Sequence, residues 1–288
     1  MSSSPTPPPI RGGSPIPPPI RRGEPCVRPL SDPRPRGGVR PAQAEAADDR
    51  ERGALLGRPS YVWGFGQERR FALVRPYLVT RPSPMLDVGC GVGVYMERFR
   101  QEGVQAFGVD VEATHLPSAA RKGLPVAAAR AEHLPFGDAA FGTVLLHEVI
   151  EHFSDDAVCL AEAMRVTRPG GRVFIFAPNR LYPFETHGIY WRGRYIQGNI
   201  PLVGYLPNPM RRRLAPHVRA YTVWELRRLL ASLPCRVVAH VQIYPGYDKI
   251  FRRWPAAARL ARGLTYLLER TPLRAFGLSH FVVVERMP

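Results

Sequence analysis

The residues of this 288-residue chain best placed to do chemistry begin at a glycine-rich turn, Asp87-Val88-Gly89-Cys90-Gly91-Val92-Gly93. Glycines at alternate positions let a backbone bend sharply and approach a ligand where side chains would obstruct it. The dinucleotide-binding fingerprint is GxGxxG, whereas this turn reads GxGxG behind an acid, so glycines alone leave a nucleotide oxidoreductase in competition. A second constellation is Glu148, Glu151 and His152, spaced i, i+3 and i+4. A helical turn there would put all three on one side, where they could hold a divalent metal. No fourth ligand can be assigned, so no metal is expected and a hydrogen-bonded structural turn is the alternative. The candidates for a base toward an acceptor hydroxyl are His147, His152, His187 and His217.

These residues must be held by strands and helices. Apolar runs at Met85 to Val88, Gln105 to Val109, Leu124 to Ala127, Phe141 to Leu146 and Arg172 to Phe176 are separated by helix-length or loop-length stretches. Such alternation implies an α/β fold with a parallel sheet covered on both faces. Two later runs, Arg236 to Ile243 and His280 to Glu285, read as further strands, and Thr222 to Leu233 as a helix before them. An amphipathic helix is expected over Gln67 to Leu78, and another from about Tyr95. The ligand of an open parallel sheet sits at the carboxyl ends of the strands, beside the glycine turn.

Leu86 to Gly93 resembles motif I of the class I S-adenosylmethionine-dependent methyltransferases, in particular the methyltransferase type 11-like domain. Four further segments resemble that family in order. Phe107-Gly108-Val109-Asp110 is similar to its second strand with a terminal acid, and Ala131-Glu132-His133-Leu134-Pro135-Phe136 to its AExLPF segment. Glu148-Val149-Ile150-Glu151-His152 is similar to its EVLEH stretch, and Arg168-Pro169-Gly170-Gly171 to its RPGG turn. Together they span residues 60 to 180. The resemblance implies a Rossmann-like, doubly wound sheet of seven mostly parallel strands, with S-adenosylmethionine as cofactor. It implies that Gly89, Cys90, Gly91 and Gly93 cradle that cofactor, that Asp87 anchors its amino acid portion and that Asp110 accepts bonds from the ribose hydroxyls, with His147 beside them. Arg130 departs from the pattern, because many relatives carry an acid there for the adenine amino group and a guanidinium cannot accept a hydrogen bond. The Ala131 amide and the Glu132 side chain are the nearest substitutes.

Methyl transfer is an in-line displacement, so the protein mainly positions two reactants and excludes water. An alcohol or phenol acceptor benefits from a base, and His187, within Glu185-Thr186-His187, has the best placement, with His152 second. Residues 180 to 220 interleave Tyr182, Phe184, Tyr190, Trp191, Tyr195 and Tyr205 with arginines, too long a stretch for a simple connection. This insertion after the fifth strand is expected to act as a substrate lid; the alternative is an aromatic packing subdomain. Residues 249 to 274 read as a basic amphipathic helix that could rest on an anionic membrane, although most such helices pack their apolar face on the domain.

Composition bounds the rest. Residues 1 to 52 hold thirteen of the 32 prolines, with Pro5 to Gly12 echoed at Pro15 to Gly23, and are expected to form a disordered Pro/Arg-rich tail before the methyltransferase domain of residues 53 to 288. The formal charge of +16 is concentrated in residues 180 to 288, where eighteen basic residues face five acids, and nearly all cations are Arg. Four widely spaced cysteines without CxxC pairs suggest neither a disulfide framework nor a zinc site. No signal peptide or membrane-spanning run is visible, so a cytoplasmic location, peripheral to a membrane at most, is expected. The acceptor is expected to be a small molecule or lipid-like, methylated at oxygen. A nucleic-acid methyltransferase is the competing enzyme; it lacks a recognisable RNA-binding motif or a base-methylation signature. A cofactor-binding interaction module without transfer activity is the reading from another class.

Overall fold

The computed structural model describes residues 63–78, 83–153 and 155–288, all within the unit Ala42–Pro288. The expected Pro/Arg-rich tail over 1–52 lies outside the described residues, as does Cys26. In chain order the first half comprises α1 (Phe65–Val74), β1 (Met85–Val88), α2 (Val94–Gln101), β2 (Ala106–Asp110), α3 (Leu116–Arg121), β3 (Val126–Ala128), β4 (Phe141–His147), α4 (Asp156–Val166) and β5 (Thr167–Pro178). Then come β6 (Phe184–Glu185), β7 (Ile189–Trp191), β8 (Arg194–Ile196), β9 (Ile200–Pro201) and α5 (Asn208–Leu214). The chain closes with α6 (Val223–Ala231), β10 (Cys235–Ile243), α7 (Asp248–Arg253), α8 (Pro255–Leu268) and β11 (Ser279–Arg286).

Seven strands form one sheet in the order β10-β11-β5-β4-β1-β2-β3. Strands β1 to β5 pair in parallel, while β11 inserts antiparallel between β5 and β10. The consecutive apolar residues of β1 and β4 follow from this: both strands are buried along their whole length, because helices cover both faces. Alternation along each strand divides the core in two. Leu86, Val88, Val144, Leu146 and Ile175 face Cys159, Leu160 and Ala163 of α4 and Leu226 and Leu230 of α6. Met85, Leu145, Phe174, Phe176 and Phe281 face Phe71 and Val74 of α1, Met96 and Phe99 of α2 and Ala119 of α3. From β1 the order runs to β2 and β3 on one side and to β4 and β5 on the other, so the crevice falls at the carboxyl ends of β1 and β4.

Three local expectations change. The helix placed at Gln67 to Leu78 is α1 followed by a 3₁₀ turn at Arg75–Tyr77, where Pro76 prevents the helix from continuing. The RPGG segment is a bulge inside β5 rather than a turn before it: Phe141 pairs with Thr167 but Thr143 with Arg172. The single basic helix over 249–274 is broken at Trp254 into α7 and α8, because Pro255 starts a new helix. Its apolar face also points the unexpected way. Ala258 is the one buried residue of α8, while Leu260, Leu264 and Leu267 on the opposite side are 65%, 56% and 60% exposed.

A candidate active site at the carboxyl ends of β1 and β4

The glycine turn is held by its own backbone. The N–H groups of Gly89 and Cys90 both donate to the Val109 carbonyl, at 2.8 and 3.0 Å, and Gly93 N–H donates to the Cys90 carbonyl at 2.9 Å. Gly91 N–H donates to Asp110 Oδ2 at 2.7 Å. Gly89 (φ 75°) and Gly93 (φ 79°) lie in the left-handed region, and a Cβ there would stand 2.6 Å from Val149 Cγ2 and 2.4 Å from Leu124 Cδ1. The amides at 89, 90, 91 and 93 are therefore committed internally and form no nest for a phosphate, unlike the helix amino terminus of a nucleotide-binding loop. Cys90 serves the turn rather than the crevice: its thiol is buried in the core beside Gly108.

The two predicted carboxylates differ. Asp110 accepts from Gly91 on one oxygen and from Glu112 N–H on the other, at 2.8 Å. Asp87 shares the face of β1 that carries Met85 and is buried; burial, reinforced by the charge of Asp110, raises its carboxyl to about 8. A cation brought beside Asp87 would restore its ionisation, which suits the ammonium of an amino acid moiety. Ala131 is buried, and Glu132 has one oxygen on Arg130 at 3.1 Å while the other is buried without a partner. Arg130 itself is exposed. At the end of β4, His147 sits against Tyr95 and Phe176 with Nε2 3.1 Å from the Tyr95 hydroxyl. Burial, then the Arg70 charge, lowers it to about 3, so it is a neutral packing residue.

Within the Glu148, Glu151, His152 constellation the two acids act on each other: burial, then the Glu148 charge, raises Glu151 well above the usual carboxylate range. Glu148 has φ 55° and turns to Arg70 Nη2 at 3.2 Å and the Ser279 hydroxyl at 2.9 Å. Burial opposes its ionisation, but the Arg70 charge, foremost of the opposing causes, and the Ser279 hydroxyl hold it below the usual carboxylate range. Glu151 and His152 lie on a 3₁₀ turn, Ile150–His152, fixed by the Arg219 N–H on the Glu151 carbonyl and the Tyr221 hydroxyl on the Ile150 carbonyl. The residue that joins them is His187, whose ring centroid is 6.0 Å from that of His152. Nδ1 of His187 meets Glu185 Oε1 at 3.1 Å, and Arg211 Nη2 meets the other Glu185 oxygen at 2.9 Å. Glu185 is held at about 2: burial works against ionisation, and the His187 and Arg211 interactions overcome it. His217 donates through Nε2 to the His187 carbonyl and so braces the lid rather than facing the crevice.

Among residues 180–220, β6 pairs with β9 and β7 with β8, and Tyr190, Tyr195 and His217 pack on one another. Several of the excess arginines are structural: Arg211 is buried on Glu185, Arg180 binds the Leu206 carbonyl, and Arg262 lies over Phe65 at 3.9 Å. Sequence reasoning missed Arg70, Tyr95, Glu185, Arg211 and Ser279. Of these only Glu185 carried a signal, as an acid two residues before a singled-out histidine. Cys90, Cys159 and Cys235 are free thiols.

Sheet order, one antiparallel strand and an acid-led glycine turn without a phosphate nest define the fold class of S-adenosylmethionine-dependent methyltransferases. Residues 86–175 match the family model of the methyltransferase domain. Over 163 residues the chain is 31% identical to a demethylmenaquinone methyltransferase of Thermobifida fusca, covering 50% of this chain and 69% of that protein. It is 37% identical over 101 residues to a ubiquinone biosynthesis O-methyltransferase of Rhodopseudomonas palustris, covering 33% of this chain and 40% of that one. The match thus spans less than half the length of the ubiquinone enzyme. A solved S-adenosylmethionine-dependent methyltransferase of Mesorhizobium loti shares the fold, with a TM-score of 0.55 at 18% identity over 77% of this chain and all of that one. The protein belongs to the methyltransferase-domain family and is an S-adenosylmethionine-dependent methyltransferase.

Proposed function

We propose that the protein methylates a small, lipid-like acceptor at oxygen. The observation that carries this reading is His187, buried and oriented by the Glu185–Arg211 pair, opposite His152 at the partly open edge of the crevice. A carboxylate that accepts from Nδ1–H fixes the tautomer and leaves Nε2 with its lone pair toward the acceptor. Such a device is needed to ionise a hydroxyl and is superfluous for an acceptor that is already an anion. We assign the ionisation of the acceptor to His187 and His152. Relatives named for demethylmenaquinone and for ubiquinone biosynthesis support a quinone-like small-molecule acceptor, and the name of the second, an O-methyltransferase, favours oxygen.

For the cofactor, the residues present fit the group. Asp110 can accept from the ribose diol, Asp87 can receive the ammonium, and the tight turn through Gly89, Gly91 and Gly93 would lie against the cofactor, with Ala131, the unpaired oxygen of Glu132 and His147 around it. S-adenosylmethionine supplies a sulfonium methyl that in-line attack by the acceptor oxygen transfers. Residues 180–220, braced on the Ile150–His152 turn through Arg219 and the adjoining Tyr221, would roof the acceptor and exclude water. The outward ridge of Leu260, Leu264 and Leu267, flanked by Arg259 and the exposed Arg252 and Arg253, supports contact with an anionic membrane from which a lipid-like acceptor is drawn. Among the described residues no helix is long and apolar enough to cross a membrane.

The test is labelled methyl transfer to phenolic quinone precursors, with RNA as a parallel arm. Methylated phenol is expected, and methylated RNA alone would refute the reading. Sedimentation with vesicles of anionic lipid, at low and high salt, checks the membrane contact. Binding is expected at low salt and lost in Leu260→Glu/Leu264→Glu; equal binding by that variant refutes it.

A further inference from the structure

Tyr95 ties together the two strand ends between which the cofactor must lie. It is the second residue of α2, just past the glycine turn that follows β1, and its hydroxyl stands 3.1 Å from Nε2 of His147 at the carboxyl end of β4. The ring is 5% exposed and fixed between two others, with the edge of Trp63 at 5.2 Å and the His147 imidazole at 4.6 Å. Burial, against the Arg70 charge and with the charges of Asp87, Glu148 and Glu68, raises the phenol, so the hydroxyl keeps its proton. Where that proton points follows from His147. The backbone carbonyl of His147 engages the other ring nitrogen, and a carbonyl only accepts, so the imidazole N–H is spent there. Nε2 is then the acceptor, the Tyr95 O–H donates to it, and the phenol oxygen is left to offer lone pairs alone.

We propose that the Tyr95 oxygen is a contact of the cofactor's sulfonium and lets the site tell the methyl donor from its spent product. An oxygen that offers only lone pairs, in the field of the Asp87 and Glu148 carboxylates, repels an anion and attracts a cation. The Arg70 guanidinium does not reverse this sign, because it is committed to Glu148 at 3.2 Å. S-adenosylmethionine carries two cationic groups. The ammonium falls to Asp87 in the cofactor placement given above, on which this inference rests, so the sulfonium is the group left for Tyr95. Hydrogens of a methyl on positive sulfur carry part of its charge, which strengthens a C–H···O contact. S-adenosylhomocysteine has a neutral thioether in place of the sulfonium and forfeits the attraction, so the same oxygen favours the loaded cofactor and eases release of the product.

The experiment is titration calorimetry of the full chain with S-adenosylmethionine and with S-adenosylhomocysteine, in the wild type and in Tyr95→Phe. Phenylalanine keeps the ring between Trp63 and His147 and removes only the oxygen. The ratio of the two affinities is what is read: the preference for S-adenosylmethionine should fall by about threefold to tenfold. An equal fall for both ligands would place the oxygen against a part they share, or in the fold alone, and overturns the contact, as does an unchanged ratio. A cofactor labelled with carbon-13 at the methyl gives a second readout. Its bound methyl protons should resonate further upfield in Tyr95→Phe, because the oxygen is lost while the ring current stays; coincident resonances overturn the contact. Should Tyr95→Phe fail to fold, a nuclear Overhauser effect between the labelled methyl and a tyrosine ring in the wild type keeps the test intact, and its absence overturns the contact. Failure of the wild type to bind either ligand removes the cofactor placement itself; binding of both with no effect of Tyr95→Phe on their ratio removes the Tyr95 contact alone.

Discussion

Asp110→Asn tests whether one carboxylate both builds the glycine turn and holds the cofactor. In the native chain each oxygen accepts a backbone N–H, from Gly91 at 2.7 Å and from Glu112 at 2.8 Å, in a buried setting. Asparagine keeps one acceptor, and its amide nitrogen must then face the other N–H, donor against donor. The loss of one charge-assisted bond costs about 1.5–3 kcal/mol, which lowers Tm by roughly 3–12 °C in a domain of this size. The same substitution removes the charge that would accept the ribose hydroxyls, so S-adenosylmethionine affinity should fall by roughly ten- to a hundredfold. Scanning calorimetry without ligand reads the first effect, and titration calorimetry reads the second. A variant with wild-type Tm would show that the turn does not depend on Asp110. A variant that melts early but binds the cofactor at full affinity would refute the ribose contact while leaving the structural role standing.

Three further expectations follow from individual contacts. Arg70→Met leaves Glu148 buried with only Ser279, at a cost of about 3–5 kcal/mol in urea denaturation, and Arg70→Met/Glu148→Gln should recover much of it; equal losses would show that the ion pair is not the cause. Asp87, at about 8 in the free protein, is protonated at pH 7 and ionises beside the cofactor ammonium, so cofactor affinity should rise with pH up to about 8 and then level. Calorimetry at pH 7 in phosphate and in Tris should therefore report about one proton released, and none in Asp87→Asn; no release in the wild type refutes the contact. Gly93→Ala combines a left-handed backbone with a clash on Leu124 and should cost about 2–5 kcal/mol, whereas Gly103→Ala, equally left-handed but facing open space, should cost about 1–2 kcal/mol. Equal losses in denaturant midpoint would show that Leu124 yields freely.

Legibility followed the range of the interaction. The central strands are readable because a strand buried on both faces must be apolar at consecutive positions, and β1 at Met85–Val88 and β4 at Phe141–His147 are buried without interruption. The boundary of β5 is not, because its bulge at Arg168 to Gly171 is set by the register against β4 across the sheet. Segment 249–274 was legible as basic and amphipathic, but not as to which way its apolar side faces, since periodicity is the same whether the partner is the domain or something outside it.

The sequence by itself determined the glycine turn, the acids Asp87 and Asp110 and the ordered motifs that follow, and through them the family, because each acts within a few positions of its own strand end. Only the tertiary structure decided which side chains meet beyond the end of β4. There Glu148 is drawn off by Arg70 from α1 and Ser279 from β11, while His187 arrives from beyond β5 to stand with Glu151 and His152. Partners between 35 and 131 positions apart in the chain leave no spacing to read.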